Sequence, residues 1–237
     1  MNTIERLADG FRRLRSDADF WSLRSIEERA ENLSVRKNVV QPPVLSNDCG
    51  AMLTAYAAGG CGYAATADLS PAGLQTALDR AVEWARATAA RSLIDFRTLP
   101  KPAPRGSYAS PDADKQSWSS GAWYDLLAEE SRQAGSDSRI VDWEASVETR
   151  TAEHCYLTSA GGEVVQRYRF VMPSLSVTAH AHGDTQTRSL NGYRGLRSKA
   201  ERASSGASIL RARDDASPMR LCNCSPRPTV LPGRWIY

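Results

Sequence analysis

The sequence predicts an α+β fold in which helices pack on one face of an antiparallel sheet, followed by a disordered C-terminal tail. Residues 71–89 carry apolar side chains at helical spacing, and several other stretches alternate apolar and polar residues. Residues 198–237 show neither period. With 237 residues and 41% hydrophobic content, the chain has enough apolar material for a core, which excludes a wholly disordered protein.

The first stretch predicts a short helix followed by long strands. Residues 3–15 place apolar side chains three to four positions apart, which is typical of an amphipathic helix. In Phe20–Val40 apolar and polar residues alternate, which predicts long strands with one solvent-exposed face. Asn38 beside Lys37 indicates a tight turn, and Pro42-Pro43 ends the strand pair.

The stretch Gly62–Ala87 combines a strand, a turn and a complete amphipathic helix. Ser70 is a suitable N-cap, and Pro71 suits the first helical position. The helix has one apolar face and therefore needs a surface to pack on. Ala51–Ala65, broken at Gly59-Gly60, predicts a hairpin that supplies this surface.

The second half predicts a connector, a helix and a meander. Asp95–Asp114 contains four prolines and is expected to be an extended connector. Trp118–Gln133 returns to helical spacing and is closed by Gly135-Ser136-Asp137. Strands joined by turns at Ala160-Gly161-Gly162 and Gly183-Asp184 are then expected at Ile140–Thr149, His154–Thr158, Val164–Met172, Leu175–Ala181 and Thr185–Tyr193.

Four segments in order resemble the N-terminal half of the TldD/PmbA family, closer to its TldD branch. They are Glu28–Gln41, Gly62–Ala87, Tyr156–Phe170 and Ser176–Gly195. The chain departs from the family pattern at Cys49-Gly50-Ala51-Met52 and at Cys61. The resemblance implies a zinc metallopeptidase, or one of two paired subunits, that acts on peptides and unfolded segments. It also implies a domain over residues 1–196.

The tail is chemically different from the rest of the chain. Residues 198–237 hold seven Lys/Arg and three Asp/Glu, a net charge of +4, which leaves 23 basic and 24 acidic residues before them. The tail, taken as 197–237, is either a disordered basic segment or a segment read out of frame. The second hypothesis rests on the loss of pattern near Arg197 and on the family-like residues that a shifted frame would give there and at 221–233.

No catalytic, cofactor-binding or metal-binding residue is assigned from the sequence. Zinc peptidases commonly use two histidines one helical turn apart with a glutamate between them, and no such string occurs in the chain. The resemblance places zinc in a C-terminal half that this chain lacks. His180 and His182 would share one face of a strand, with Asp184 or His154 nearby. They could form an accidental metal site, or they could simply be polar residues on a solvent-exposed face.

Other chemistries have weaker signals. Cys222 and Cys224 could supply two of the four thiolates of a soft-metal site. The sequence contains no Gly-x-Ser-x-Gly motif of a serine hydrolase and no Gly-Lys-Ser/Thr motif of a phosphate-binding loop. The tail arginines could contact phosphates, but no aromatic platform is interleaved with them. Five cysteines without framework spacing, and no membrane-spanning or signal-like stretch, predict a cytoplasmic location.

The predicted function is that of the N-terminal, non-catalytic portion of a TldD-like zinc metallopeptidase, truncated and inactive alone. The expected partners are a peptide or unfolded protein and a TldD/PmbA-type subunit, with no nucleic acid and no membrane. Edge strands would hold the peptide by strand addition, although the sequence does not identify the edge. The alternatives are a stand-alone module that binds peptides or a peptidase, and a nucleic-acid binder that uses its basic tail.

Overall fold

A computed structural model describes residues 3–111, 113–114, 118–190 and 198–199. It contains three α-helices, two short 3-10 turns and strands β1–β9. The helices are α1 (Thr3–Arg13), α2 (Pro71–Thr88) and α3 (Ser120–Ala134), and the 3-10 turns are Ala89–Arg91 and Phe96–Thr98. The strands are β1 (Phe20–Arg36), β2 (Val39–Val40), β3 (Val44–Ala57), β4 (Gly60–Thr66), β5 (Arg105–Ala109), β6 (Ile140–Thr158), β7 (Glu163–Ala181), β8 (Asp184–Ser189) and β9 (Ser198–Lys199).

The chain forms two compact units, and β1, β6 and β7, together with β3 through Val44, contribute residues to both. The first unit comprises the described residues within 1–31, 45–115 and 150–170, and the second comprises the described residues within 32–44, 116–149 and 171–199. The domain boundary expected at residue 196 stays a prediction. The tail predicted for residues 197–237 lies outside the described residues, except for the two residues of β9.

In the first unit the strand order is β4-β3-β1-β6-β7-β5. The turn at Ala58-Gly59 has positive φ at both positions, which suits the right-handed twist of the β3–β4 hairpin. Helix α2 begins as predicted, since Ser70 Oγ accepts a hydrogen bond from the Gly73 N–H and Pro71 follows. Helices α1 and α2 bury Leu7, Phe11, Leu74 and Leu78 against strand residues such as Leu53.

In the second unit, α3 covers a core of its own. Trp123 and Leu127 of α3 are buried with apolar residues of β1, β6 and β7, among them Val35, Val147 and Val171. The predicted tight turn is present, because Lys37 and Asn38 both have positive φ between the antiparallel β1 and β2. Strand β8 pairs antiparallel with β7 across the turn at His182-Gly183.

The α+β class is confirmed, but the sheet is mixed. Strand β5 pairs parallel with β7, with Arg105 opposite Glu163 and Ala109 opposite Arg167. A parallel neighbour requires a long connection, and residues 110–162 supply it. The prediction of a purely antiparallel sheet is therefore wrong at the β5–β7 pair.

Two further predictions need correction. The stretch 95–114 is not only a connector, because β5 lies between Pro104 and Pro111, and neither proline interrupts its pairing with β7. Strands β6 and β7 run without the breaks expected at 150–153 and 173–174. Pro173 is tolerated because it lies between the part of β7 that pairs with β5 and the part that pairs with β8.

Candidate functional site

Strand β5 lies at one end of the strand order in the first unit. All five of its residues are exposed, and no strand among the described residues pairs with its outer edge. Only Arg105 of this strand carries a charge. We call residues 105–109 the β5 edge. A short, nearly uncharged edge offers main-chain N–H and C=O groups to an incoming strand.

The opposite end of the same sheet is less open. Cys61 of β4 uses its carbonyl oxygen to accept a hydrogen bond from Thr88 Oγ1 at 3.0 Å, and the Gly59 carbonyl accepts the Phe96 N–H at 3.1 Å. These contacts occupy main-chain acceptors at the beginning of β4. Of the two ends of the strand order, β5 is therefore the better template for another strand.

An aromatic patch lies beside the β5 edge, made of Tyr108, Tyr168, Phe170 and His154. The Tyr108 and Tyr168 ring centroids are 5.5 Å apart, and the Tyr168 and Phe170 rings stack with centroids 5.9 Å apart. His154 meets Tyr168 edge-on at 5.5 Å. Tyr108 is 41% exposed, so the patch offers apolar area at the edge of the sheet. Burial, and then the charge of Arg24, lower the pKa of His154 and favour its neutral ring.

A cleft of about 450 Å³ lies at the Arg105 end of the β5 edge. Three arginines line it, Arg12 and Arg15 from the end of α1 and its following loop, and Arg105 from β5. We call it the arginine cleft. Its apolar lining includes Phe11, Leu14, Trp21 and Leu157, and Glu163 is the carboxylate that lines it.

The three guanidinium groups differ in how far they are engaged. Arg12 reaches Asp9 at 2.9 Å and Glu163 at 3.6 Å, so carboxylates balance its charge. Arg15 directs Nη1 to the carbonyl oxygens of residues 12, 13 and 14, and thereby caps the end of α1. Arg105 donates Nε to the Gly161 carbonyl at 3.0 Å. Its side chain is thus oriented while its charge has no carboxylate within salt-bridge distance among the described residues.

The accidental histidine site that the sequence left open is not formed among the described residues. His180 lies in β7 and its Nδ1 is 2.7 Å from Thr185 Oγ1, but His182 lies in the turn after β7 with φ of 54°. The expectation that both share a strand face is wrong, because Gly183 and His182 make the turn one residue earlier than the pattern indicated. Among the described residues no group of three His, Cys, Asp or Glu side chains comes together.

A zinc centre therefore does not fit the residues that the structure describes. The three described cysteines, Cys49, Cys61 and Cys155, are free thiols. Burial raises the pKa of each, and that of Cys155 to about 11, so these groups are poor thiolate ligands and poor nucleophiles near neutral pH. Cys222 and Cys224 lie outside the described residues. In the described part no helix is long and apolar enough to cross a membrane.

Sequence reasoning missed both the β5 edge and the arginine cleft. The prolines around 105–109 favoured a connector over a strand in the sequence analysis. Residues 105–109 themselves contain no proline, and this proline-free run between Pro104 and Pro111 was a usable signal for a short strand. The cleft combines residues more than ninety positions apart, such as Arg12 and Arg105, and no spacing rule brings them together.

Comparison with known proteins identifies the fold. Residues 21–89 match the model of the PmbA/TldA metallopeptidase domain 1. TldE from Thermococcus kodakarensis superposes with a TM-score of 0.58 at 15% identity, over 79% of this chain and 41% of that one. A protein described as a modulator of DNA gyrase from Thermotoga maritima gives 0.56 at 13%, over 79% and 42%.

A second protein with that description, from Bacteroides thetaiotaomicron, gives a TM-score of 0.57 at 15% identity, over 88% of this chain and 48% of that one. The chain thus spans less than half the length of these three structures. No curated protein sequence matches it. Residues 21–89 match the model of the first domain of the PmbA/TldA metallopeptidases, and the resemblance of this chain to the TldD/PmbA family is thereby confirmed.

Proposed function

We propose that this chain is the N-terminal, non-catalytic portion of a TldD-like zinc metallopeptidase and holds peptides or unfolded segments as an added strand. The observation that carries the proposal is the β5 edge, which is exposed and terminal in the strand order. Strand addition recognises the main chain of the peptide, so it suits substrates of varied sequence in an extended conformation. The described residues offer no group of zinc ligands, so hydrolysis is assigned to other parts of the family fold.

The aromatic patch supports the same function. A strand added to β5 would extend the sheet past Tyr108, and its apolar side chains would cover this ring and its neighbours. Main-chain hydrogen bonds would supply affinity, and the patch would favour apolar or aromatic side chains at alternate positions.

The test is peptide binding with a main-chain control. A short fluorescein-labelled peptide rich in Val and Tyr is titrated with the chain, and fluorescence anisotropy is recorded. We expect saturable binding, and loss of binding when alternate amides of the peptide are N-methylated, because the side chains stay while the donors disappear. Equal binding of both peptides would overturn strand addition.

A pair of tyrosine variants locates the binding surface. Tyr108→Ser is expected to weaken binding about three- to tenfold, the range for loss of an aromatic contact. Tyr63→Ser removes an equally large ring that is 69% exposed on β4, and it should leave affinity unchanged. The reverse result would move the binding surface to β4.

Catalysis is tested separately. With zinc added, the purified chain is expected to leave an unfolded peptide intact over hours, as read by mass spectrometry. Zinc-dependent cleavage by this chain would contradict the non-catalytic assignment.

A second candidate is a stand-alone module that binds peptides or a peptidase partner without catalysis. It is favoured by the two apolar clusters, each formed from this chain's own residues. Co-elution with a TldD-type catalytic subunit, together with faster peptide cleavage by that subunit, would support the hypothesis that the chain is a portion of a peptidase. Peptide binding without any such association supports the stand-alone module. A cytoplasmic, reducing setting is proposed for both, in keeping with the three free thiols.

A further inference from the structure

We infer that the arginine cleft binds the terminal carboxylate of a peptide added to the β5 edge, with Arg105 as the main carboxylate-binding residue. The inference rests on the proposed function and adds to it a preference for chain ends with a free carboxylate. Its basis is the position of Arg105, which belongs both to the β5 edge and to the lining of the cleft.

The direction of strand addition places a carboxylate there. Strand β5 runs from Arg105 to Ala109, so a strand that pairs with it in the antiparallel sense has its C-terminal end beside Arg105. Antiparallel addition leaves the existing parallel β5–β7 pair undisturbed. A peptide that ends at this point delivers its terminal carboxylate to the mouth of the cleft.

The charges in the cleft favour an anion. Arg105 donates Nε to Gly161, which leaves both Nη groups without an acceptor in the described part of the chain. Arg15 also adds positive charge, because its contacts are to neutral carbonyl oxygens. Glu163 is the opposing carboxylate, and Arg12 partly balances it at 3.6 Å. A guanidinium that is held in place by Nε and keeps both Nη groups available as donors is suited to bind a carboxylate.

The lining and size of the cleft fit a terminal residue with an apolar side chain. Phe11, Leu14, Trp21 and Leu157 line the cleft together with the arginines. A volume of about 450 Å³ is within the range of small-ligand sites and is ample for one side chain and its carboxylate. The ligand class is therefore an extended peptide with an apolar C-terminal residue and a free carboxylate.

The experiment compares the same Val/Tyr-rich peptide with a free C-terminal carboxylate and with a C-terminal amide, by fluorescence anisotropy on the full chain. We expect amidation to weaken binding about tenfold, the scale of one charge-assisted hydrogen-bond pair at a partly exposed site. Arg105→Gln should weaken binding of the free-acid peptide to the level of the amide and leave amide binding unchanged. Arg80→Gln removes an exposed arginine on α2 and should leave the tenfold difference intact.

Glu163→Gln keeps the inference testable if Arg105→Gln fails to fold. This substitution removes the repelling charge and releases Arg12 Nη2 from its contact with Glu163, while Arg12 Nη1 stays paired with Asp9. Binding of the free-acid peptide should therefore tighten severalfold, a result that misfolding cannot imitate. Equal binding of acid and amide, or a tenfold difference that survives in Arg105→Gln, would overturn the inference and leave strand addition standing. Failure of both peptides to bind would instead overturn the proposed function, and this inference with it.

Discussion

At the scale of single residues, Ser131 joins α3 to the turn between β1 and β2. Its hydroxyl donates to Asn38 Oδ1 at 3.0 Å and accepts both the Asn38 N–H and Trp143 Nε1–H at 3.1 Å. Ser131 is fully buried, whereas Trp143 is half-buried and Asn38 is exposed, so the three hydrogen bonds are partly buried. One small side chain therefore fixes the left-handed Asn38 and the Trp143 ring together.

Ser131→Ala is expected to lower the free energy of unfolding by about 1–3 kcal/mol, since it removes the hydroxyl that makes three partly buried hydrogen bonds. Urea denaturation followed by tryptophan fluorescence measures the change. Ser138→Ala, at an exposed position of the loop after α3, serves as the control and should stay within about 0.5 kcal/mol. Equal effects of the two substitutions would show that the Ser131 contacts add nothing to stability.

His154 gives the fold a predictable dependence on pH. Burial lowers its pKa below the ordinary value, so the unfolded chain binds a proton more readily than the folded one. The stability that this difference contributes is fully present above the pKa of histidine in the unfolded chain, about 6.5. It is lost as the pH falls from there toward the lower pKa of His154 in the folded chain.

Thermal melts of the wild type and of His154→Phe, at about pH 7.5 and about pH 5.5, test this dependence. The wild type should lose more of its melting temperature on acidification than the variant, whose ring cannot take up a proton. A variant that loses as much as the wild type would assign the acid sensitivity to other groups.

Residue patterns predicted the Ser131 site only in part. Lys37-Asn38 indicated a tight turn, because short polar residues tolerate positive φ, and the turn is present. The partner of Asn38 lies 93 positions away in α3, and nothing in the local sequence distinguishes Ser131 from other serines. Turn chemistry is local, whereas the contacts that bury it depend on the tertiary fold.

At the scale of elements, the packing of α2 on β4 depends on two glycines. A Cβ at Gly60 would meet the Ala85 carbonyl oxygen, and one at Gly62 would meet the Ala81 carbonyl oxygen and the Ala85 nitrogen. The missing side chains let the α2 backbone approach the strand directly, while the small Ala81 and Ala85 of the helix are fully buried against it.

Gly62→Ala is expected to destabilise the protein by at least about 1–3 kcal/mol, because the added methyl overlaps main-chain atoms that cannot rotate away. Gly106→Ala, another strand glycine, is the matched control, since nothing lies within 4 Å of its Cβ position and its φ is not positive. Urea denaturation of both variants compares them. If the Gly62 variant is as stable as the control, α2 can move to accommodate the added methyl group without a loss of folding free energy.

Elements were predictable where one period dominates a long stretch. The helix beginning at Pro71 and the hairpin predicted around Gly59-Gly60 follow from capping, spacing and turn residues. Both are present, with the turn itself at Ala58-Gly59. Strand β5 was not predicted, because five exposed residues among prolines show no alternation of buried and exposed side chains. Its existence depends on β7, which supplies its neighbour from more than fifty positions away.

At the scale of the whole molecule, the charge is divided unevenly along the chain. The net charge of +3 results from +4 in residues 198–237 and −1 in residues 1–197. The arginine cleft is therefore a local concentration of positive charge on a nearly neutral background. Local placement, rather than the net charge, gives the cleft its preference for a carboxylate.

The boundary predicted at residue 196 leads to a last test on the whole chain. Both apolar clusters are built from residues up to Val177, with Leu190 packed against the second, and β8 ends at Ser189. A chain ending at residue 196 is therefore expected to melt within about 2 °C of the full chain, by circular dichroism. A chain ending at Ala181 removes β8 and its hydrogen bonds to β7, and it should melt several degrees lower. If the first deletion lowers the melting temperature by about 4–8 °C, residues 197–237 contribute on the order of 2 kcal/mol to stability, and the domain extends beyond residue 196.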